Sequence, residues 1–210
     1  MRHPHSVFFD LDGTLTDPWL GISRSIEYAL DALDLERDPG DDYRWCIGPP
    51  LRESFSMLAG GELAERALSI YRERYSEVGW RENTPYDGIP ATLAALTDSG
   101  RKLYVATSKP HVFATRILEH FELLPFFTAV YGAELDGTRS DKSELLAYAL
   151  SQHTVNEPAM VGDRRYDMIG AAANAMRAIG VSYGYGSTEE LSEAGAEHIV
   201  DSPAGLIDVL

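Results

Sequence analysis

Asp10-Leu11-Asp12-Gly13-Thr14-Leu15-Thr16-Asp17 follows the apolar run Val7-Phe8-Phe9. The run reads as a buried strand. Side chains alternate along a strand, so Asp10 and Asp12 point the same way. Gly13 lets the chain leave the strand in a conformation closed to most residues. Two carboxylates held together in a low-dielectric crevice repel each other and need a proton or a cation. Such a pair costs stability, which points to chemistry. One carboxylate could attack phosphorus and form an acyl-phosphate, splitting one displacement into two. The other could protonate the leaving oxygen and later take a proton from attacking water. The plainer alternative is a pair of turn or N-cap aspartates.

Three more stretches carry candidate groups. A strand pattern over 102–107 ends in Thr107-Ser108-Lys109-Pro110. A hydroxyl and free backbone N–H groups at a strand-to-helix turn suit a phosphate oxygen. Lys142 opens a helical pattern, where the helix dipole disfavours a cation. Neutralising phosphate and a nearby carboxylate would account for it. Gly162-Asp163-Arg164-Arg165-Tyr166-Asp167 ends another strand. Its two acids lie four apart at a helix opening, so both can reach the crevice. With Asp10 they make an oxygen-rich site for a hard cation such as Mg2+. Taken singly, each stretch has a structural alternative: a hydroxyl cap, a surface lysine, acids at a helix N-terminus.

These groups need a frame. Short apolar strands at 7–9, 102–107, 127–131, 159–161, 178–181 and 198–200 alternate with helical patterns at 89–99, 112–121, 143–152, 166–175, 188–194 and 204–210. The alternation predicts an α/β fold with a parallel sheet covered on both faces. Catalytic groups in such sheets gather at the carboxyl ends of the strands. Between Asp17 and Tyr86 no strand pattern is seen. Asp17-Pro18 reads as a helix start, with an acid at the N-cap and proline at the first helical position. Trp19, Ile22, Ile26, Ala29 and Leu33 follow at helical spacing, as do Leu63, Ala67, Ile70, Arg74 and Val78. Gly48-Pro49-Pro50 separates two shorter predicted helices, and the stretch from Asn83 to Gly88 reads as a return linker. The expected division is a core of 1–16 and 87–210 with a helical insert of 17–86. An insert entered straight after a catalytic loop is placed to act as a lid, against the plainer reading of a helical subdomain beside the core.

The 210 residues suffice for a full core, and 44% apolar with 24% charged residues is ordinary for a globular protein. With 18 basic against 33 acidic residues the formal charge is −15, which argues against a nucleic acid polymer as partner. A bound cation and a few local bases would have to attract an anionic substrate. Cys46 is the single cysteine, so no intrachain disulfide forms; a packing role and a reducing compartment are expected. No apolar run approaches the ~20 residues that cross a bilayer. Met1-Arg2-His3-Pro4-His5 has no apolar signal region behind it. A cytoplasmic protein without a membrane partner is expected; nothing in the sequence sets an oligomeric state.

Together the four stretches resemble the motifs of the haloacid dehalogenase superfamily, in order: Asp-x-Asp-Gly-Thr as Asp10 to Thr14, the strand-end hydroxyl as Thr107, the lysine as Lys142, and Gly-Asp-x-x-x-Asp as Gly162 to Asp167. The resemblance covers essentially the whole chain. It implies a Rossmann-like, doubly wound parallel sheet with an α-helical cap inserted after the first motif. It also implies Mg2+-dependent phosphoryl transfer through an aspartyl-phosphate. Carried over, Asp10 is nucleophile and metal ligand. Asp12 is general acid and base, and binds metal through its backbone carbonyl. Gly13, Thr107 and the Ser108 backbone N–H hold phosphoryl oxygens. Lys142 orients the nucleophile and offsets charge. Asp163 ligates the metal directly, and Asp167 directly or through water.

An acid at Asp12 separates phosphatases and phosphomutases from the family's dehalogenases. The branch most resembled is that of phosphoglycolate phosphatases and 5′-nucleotidases, through Ser108-Lys109-Pro110, Tyr86-Asp87-Gly88 and the run from Gly180 to Gly186. Many relatives carry Lys-Pro-x-Pro at the motif lysine; here it is Asp141-Lys142-Ser143. Lys109 is expected to support its loop, and His111 to be structural. In the insert, Arg44 and Arg52 could bind a substrate carboxylate or second phosphate, and Trp45 could stack on a base. The expected substrate is a small phosphorylated metabolite, phosphoglycolate-like or a nucleoside monophosphate. The alternatives are a phosphomutase and a catalytically silent binding protein.

Overall fold

The computed structural model describes residues 5–210; Met1 to Pro4, read above for the lack of a signal region, lie outside the described residues. The chain forms two compact units. One runs to Asp17 and resumes over Pro85–Leu210, and the other is Pro18–Thr84. The smaller unit holds α1 (Trp19–Asp31), α2 (Leu51–Leu58) and α3 (Ala64–Glu77). The larger holds α4 (Ile89–Asp98), α5 (His111–His120), α6 (Lys142–Ser151), α7 (Arg165–Ala173), α8 (Thr188–Glu193) and α9 (Leu206–Val209). Its sheet comprises β1 (Ser6–Phe9), β2 (Lys102–Pro110), β3 (Phe127–Ala133), β4 (Pro158–Gly162), β5 (Arg177–Val181) and β6 (His198–Val200).

The strands are parallel, in the order β3-β2-β1-β4-β5-β6. This is the parallel sheet the alternation predicted, in the doubly wound order the resemblance implied. The order reverses beside β1, which opens a crevice at the carboxyl ends of β1 and β4. Val7, Phe8 and Phe9 are fully buried, as a central strand covered on both faces requires. In register, Phe8 lies between Tyr104 of β2 and Met160 of β4, and its ring stacks on Tyr104 at 4.6 Å. Leu145 and Leu146 of α6, with Met168 and Ala171 of α7, close the cluster on that face. Truncating a side chain so placed, as in Phe8→Ala, costs about 3–5 kcal/mol. This core therefore anchors the two strands whose ends carry Asp10 and Asp163.

In the smaller unit α1 buries Ile22, Ile26, Ala29 and Leu30, and α3 buries Ala67, Leu68, Tyr71 and Tyr75. Phe55 of α2 meets Tyr71 edge-on at 5.7 Å. A Cβ on Gly21 would lie 2.0 Å from the Gly79 carbonyl oxygen, so only glycine permits that approach. Arg74, the polar residue in the α3 stripe, donates to Glu82 at 2.8 Å and to the Ser25 hydroxyl at 3.1 Å. Cys46 is buried, and burial pushes its thiol up to about 12, in line with a packing role. Among the described residues no helix is long and apolar enough to cross a membrane.

Local expectations change in three places. Asp17 does not cap α1: Pro18 occupies the N-cap, no side chain caps the helix, and Asp17 accepts the Tyr185 hydroxyl instead. The shorter helix expected just before Gly48 is instead a 3-10 turn, Arg44–Cys46. Thr16–Asp17 and Thr84–Pro85 are two-residue strands, too short to leave a sequence pattern.

Candidate active site

Asp10 continues the ladder beyond β1, its N–H donating to the Val161 carbonyl at 2.9 Å. The sheet thus fixes its backbone, and its carboxylate Oδ1 accepts the Leu11 N–H at 2.8 Å. The chain then folds tightly, with the Leu15 and Thr16 N–H groups both donating to the Leu11 carbonyl. Gly13 adopts a left-handed φ of 86°. A Cβ there would also lie 2.1 Å from Asp163 Oδ2. Its N–H donates to the Thr16 carbonyl at 2.8 Å. Gly13 was expected among the phosphate ligands; with its donor engaged, its part is to clear space for Asp163.

Asp10, Asp163 and Asp167 each present an oxygen, all within 4.8 Å of one another, and all three residues are buried. Asp163 Oδ1 accepts the Thr14 hydroxyl at 3.3 Å and Oδ2 accepts the Tyr185 N–H at 2.8 Å. Asp167 Oδ2 accepts the Arg164 N–H at 3.1 Å. Asp141 caps α6 by accepting the Glu144 N–H at 3.0 Å, which sets Lys142 at the first helical position. Lys142 Nζ reaches Asp10 Oδ1 at 3.1 Å and Asp167 Oδ1 at 2.8 Å, and donates to the Ala106 carbonyl at 2.9 Å.

One ammonium does not balance three buried acids. Burial pushes the Asp163 carboxyl well above the usual carboxylate range, and the charges of Asp167 and Asp10 add to it. Burial pushes Asp167 up to about 6, with Lys142 opposing and Asp10 adding. Burial alone would lower Lys142, but the charges of Asp10 and Asp167 prevail and its proton is held more tightly. A cluster of carboxylate oxygens with excess negative charge fits a hard divalent cation.

Asp12 faces a different lysine. Its Oδ2 pairs with Lys109 Nζ, while its Oδ1 is buried with no hydrogen-bond partner among the described residues. Burial raises the Asp12 carboxyl, with Lys109 pulling the other way. Lys109 is thus an acid's partner and not merely a loop support. Thr107 is buried and its hydroxyl accepts the Lys109 N–H at 3.2 Å. The Ser108 hydroxyl donates to the Ser140 carbonyl at 3.1 Å, tying the end of β2 to the loop before α6.

The structure therefore gathers Asp10, Asp12, Thr107, Ser108, Lys142, Asp163 and Asp167 at the carboxyl ends of β1, β2 and β4 and the start of α6. Arg52 belongs to the smaller unit, where it is exposed and pairs with Glu65. Arg44 pairs with Asp42 at 2.7 Å and covers the Trp19 ring at 4.7 Å.

Sequence reasoning assigned no role to the segment after β5. The Tyr183 hydroxyl donates to the Thr14 carbonyl at 3.1 Å. Tyr185 holds Asp163 through its N–H and Asp17 through its hydroxyl. A Cβ on Gly184 would lie 2.3 Å from the Gly13 carbonyl oxygen, and one on Gly186 2.0 Å from the Asp163 carbonyl oxygen. The signal was present as a Gly-x-Gly following the strand that neighbours β4.

The model of the haloacid dehalogenase-like hydrolases matches residues 7–181. A 5′-nucleotidase of Pseudomonas aeruginosa is 44% identical over 214 aligned positions, covering 100% of this chain and 96% of that protein. The tyrosine-protein kinase PtkA of Mycobacterium tuberculosis is 42% identical over 188 positions, covering 89% of this chain and 65% of that protein. The crystal structure of a predicted phosphatase from Clostridium acetobutylicum superposes with a TM-score of 0.92 at 43% identity, covering 99% of this chain and 98% of that one. A family match over most of the chain and a site that gathers the four motifs at the strand ends lead to one conclusion: the protein belongs to the haloacid dehalogenase-like hydrolases.

Proposed function

We propose that the chain is a Mg2+-dependent phosphomonoester hydrolase that works through an aspartyl-phosphate at Asp10. The observation that carries this reading is the buried triad Asp10, Asp163 and Asp167, with Lys142 bridging the first and last. Asp163, Asp167, the Asp10 carboxylate and the Asp12 carbonyl would hold the cation. When bound, Mg2+ supplies positive charge against the phosphoryl oxygens and the nucleophile.

The chain's own groups divide the rest. Lys142 and the Leu11 N–H both hold Asp10 Oδ1, which leaves Oδ2 for attack on phosphorus. As the phosphorus–ester oxygen bond breaks, Asp12 gives the departing alcohol a proton. Asp12 then takes a proton from the water that attacks the phosphoryl group, so that phosphate leaves and Asp10 is restored. The Thr107 hydroxyl and the Ser108 N–H hold the phosphoryl oxygens. The helical unit is entered straight after the nucleophile loop, a connection that suits a lid. The substrate is a small phosphorylated metabolite, a nucleoside monophosphate or a phosphoglycolate-like acid. A single cysteine suits work in the cytoplasm.

The likeness to a protein named a tyrosine kinase raises a second reading, transfer of a phosphoryl group to tyrosine. Asp12, an acid suited to activate water, favours hydrolysis. The test is a screen of nucleoside monophosphates, phosphoglycolate and sugar phosphates with and without Mg2+, beside ATP with a tyrosine peptide. Mg2+-dependent phosphate release that Asp10→Asn abolishes is expected. Full activity in Asp10→Asn would refute the nucleophile, and peptide phosphorylation without phosphate release would favour transfer.

A further inference from the structure

Lys109 is set apart from the other site lysine by its route into the crevice. β2 pairs with β3 at Thr107 opposite Gly132 and again at Pro110 opposite Ala133, so Ser108 and Lys109 form a bulge between adjacent partners. Bulges of this kind re-aim side chains beside active sites. The facing strand allows it: a Cβ on Gly132 would lie 2.8 Å from the Lys109 carbonyl oxygen and 2.7 Å from the His111 nitrogen. The Lys109 N–H bonded to Thr107 Oγ1 at 3.2 Å fixes the bulge from within. Its ammonium then pairs with Asp12 Oδ2, its side chain only 6% exposed. Lys142 is committed elsewhere, to Asp10, Asp167 and the Ala106 carbonyl. A buried ammonium is costly unless paired, and here strand register is given up to bring it to one carboxylate.

We infer that Lys109 is a positioning residue for Asp12: it holds the carboxylate by Oδ2 and thereby makes Oδ1 the oxygen that hands the proton to the departing alcohol. Oδ1 is the buried oxygen without a hydrogen-bond partner among the described residues. The inference rests on the reading of Asp12 as general acid. Without Lys109 the carboxylate can turn about its side-chain bonds, and the proton is no longer presented from one place. The lysine acts through Asp12, so its removal harms only substrates whose leaving oxygen needs a proton.

The experiment compares kcat/KM for p-nitrophenyl phosphate, whose leaving group departs as the anion, with that for glycerol phosphate, whose alkoxide does not. kcat/KM reports the steps up to alcohol release, where the acid acts. Asp12→Asn is the reference and is expected to lose about 100-fold or more on the alkyl ester relative to the aryl ester. Lys109→Met is expected to show the same selective loss at about 10-fold or more, and Lys109→Arg to recover most of it. Equal losses on both esters in Lys109→Met, or no loss, would overturn the inference while leaving Asp12 in its role. Equal losses in Asp12→Asn would sink the general acid and this inference with it. If Lys109→Met fails to fold by circular dichroism, Lys109→Gln takes its place under the same criteria.

Discussion

Lys142 Nζ lies 3.1 Å from Asp10 Oδ1, joining the start of α6 to the residue that follows β1. The same ammonium lies 2.8 Å from Asp167 Oδ1. One cation therefore holds two buried acids that β1 and the β4–α7 turn deliver independently. Breaking a buried pair by removing one partner costs about 3–5 kcal/mol. Lys142→Met should lose close to that in urea unfolding at neutral pH without metal. On the proposed mechanism its phosphatase activity with Mg2+ should fall by about 100-fold or more, in keeping with loss of an electrostatic group at the reacting centre.

Asp163→Asn separates stability from function. The Asp163 carboxyl is raised by burial and by its acidic neighbours, so the folded state binds that proton more tightly than the unfolded state. Stability from this group is then lost as pH rises above the ordinary carboxylate range. At neutral pH without metal, Asp163→Asn should melt at or above the wild type. Mg2+ should raise the wild-type melting temperature and leave that of Asp163→Asn unchanged. An equal shift in both proteins would remove Asp163 from the metal site.

Gly184→Ala should weaken the proposed metal site without replacing any of its ligands. The added Cβ would lie 2.4 Å from the Asp163 Cβ and 2.6 Å from its Oδ2. Disturbing the support of a ligand typically costs about 10–100-fold in affinity. Calorimetric titration with Mg2+ should show such a loss. Gly61→Ala, where nothing lies within 4 Å, is the control and should bind as the wild type.

The smaller unit carries its own pH signature. Hydrogen bonds from Arg74, followed by those from Arg24 against an opposing effect of burial, hold the Glu82 carboxyl below its usual range. A lowered folded value means stability that is complete above the ordinary glutamate value and lost as pH falls through the lowered one. Glu82→Gln should cost about 1–2 kcal/mol at pH 7, the pair being partly exposed. Urea titrations should show that difference shrinking as pH falls below the ordinary glutamate range.

What the sequence revealed depended on distance along the chain. The parallel sheet was legible because apolar runs alternate with helical patterns, and Phe8 meets Tyr104 and Met160 as a central strand must. The acids were legible because Asp10-x-Asp12 and Asp163-x-x-x-Asp167 are local spacings. Asp17 was misjudged because an acid before proline is a good local cap, whereas its partner, Tyr185, lies 168 residues away. Lys109 was underrated for a similar reason: its aim comes from a bulge against β3, which pairing register reveals and periodicity does not. Gly184 and Gly186 face Asp163 only once β5 is laid beside β4. Each miss is a contact set by topology, where a local rule had a plausible rival use for the residue.

The covalent route through Asp10 is tested most directly by the stereochemical course at phosphorus. A phosphorothioate ester made chiral with oxygen isotopes would be hydrolysed with Mg2+ and the configuration of the released thiophosphate determined. Two in-line displacements, the first by Asp10 and the second by water, invert twice, so overall retention is expected. Inversion would mean a single attack by water and would contradict the assignment of Asp10 as nucleophile.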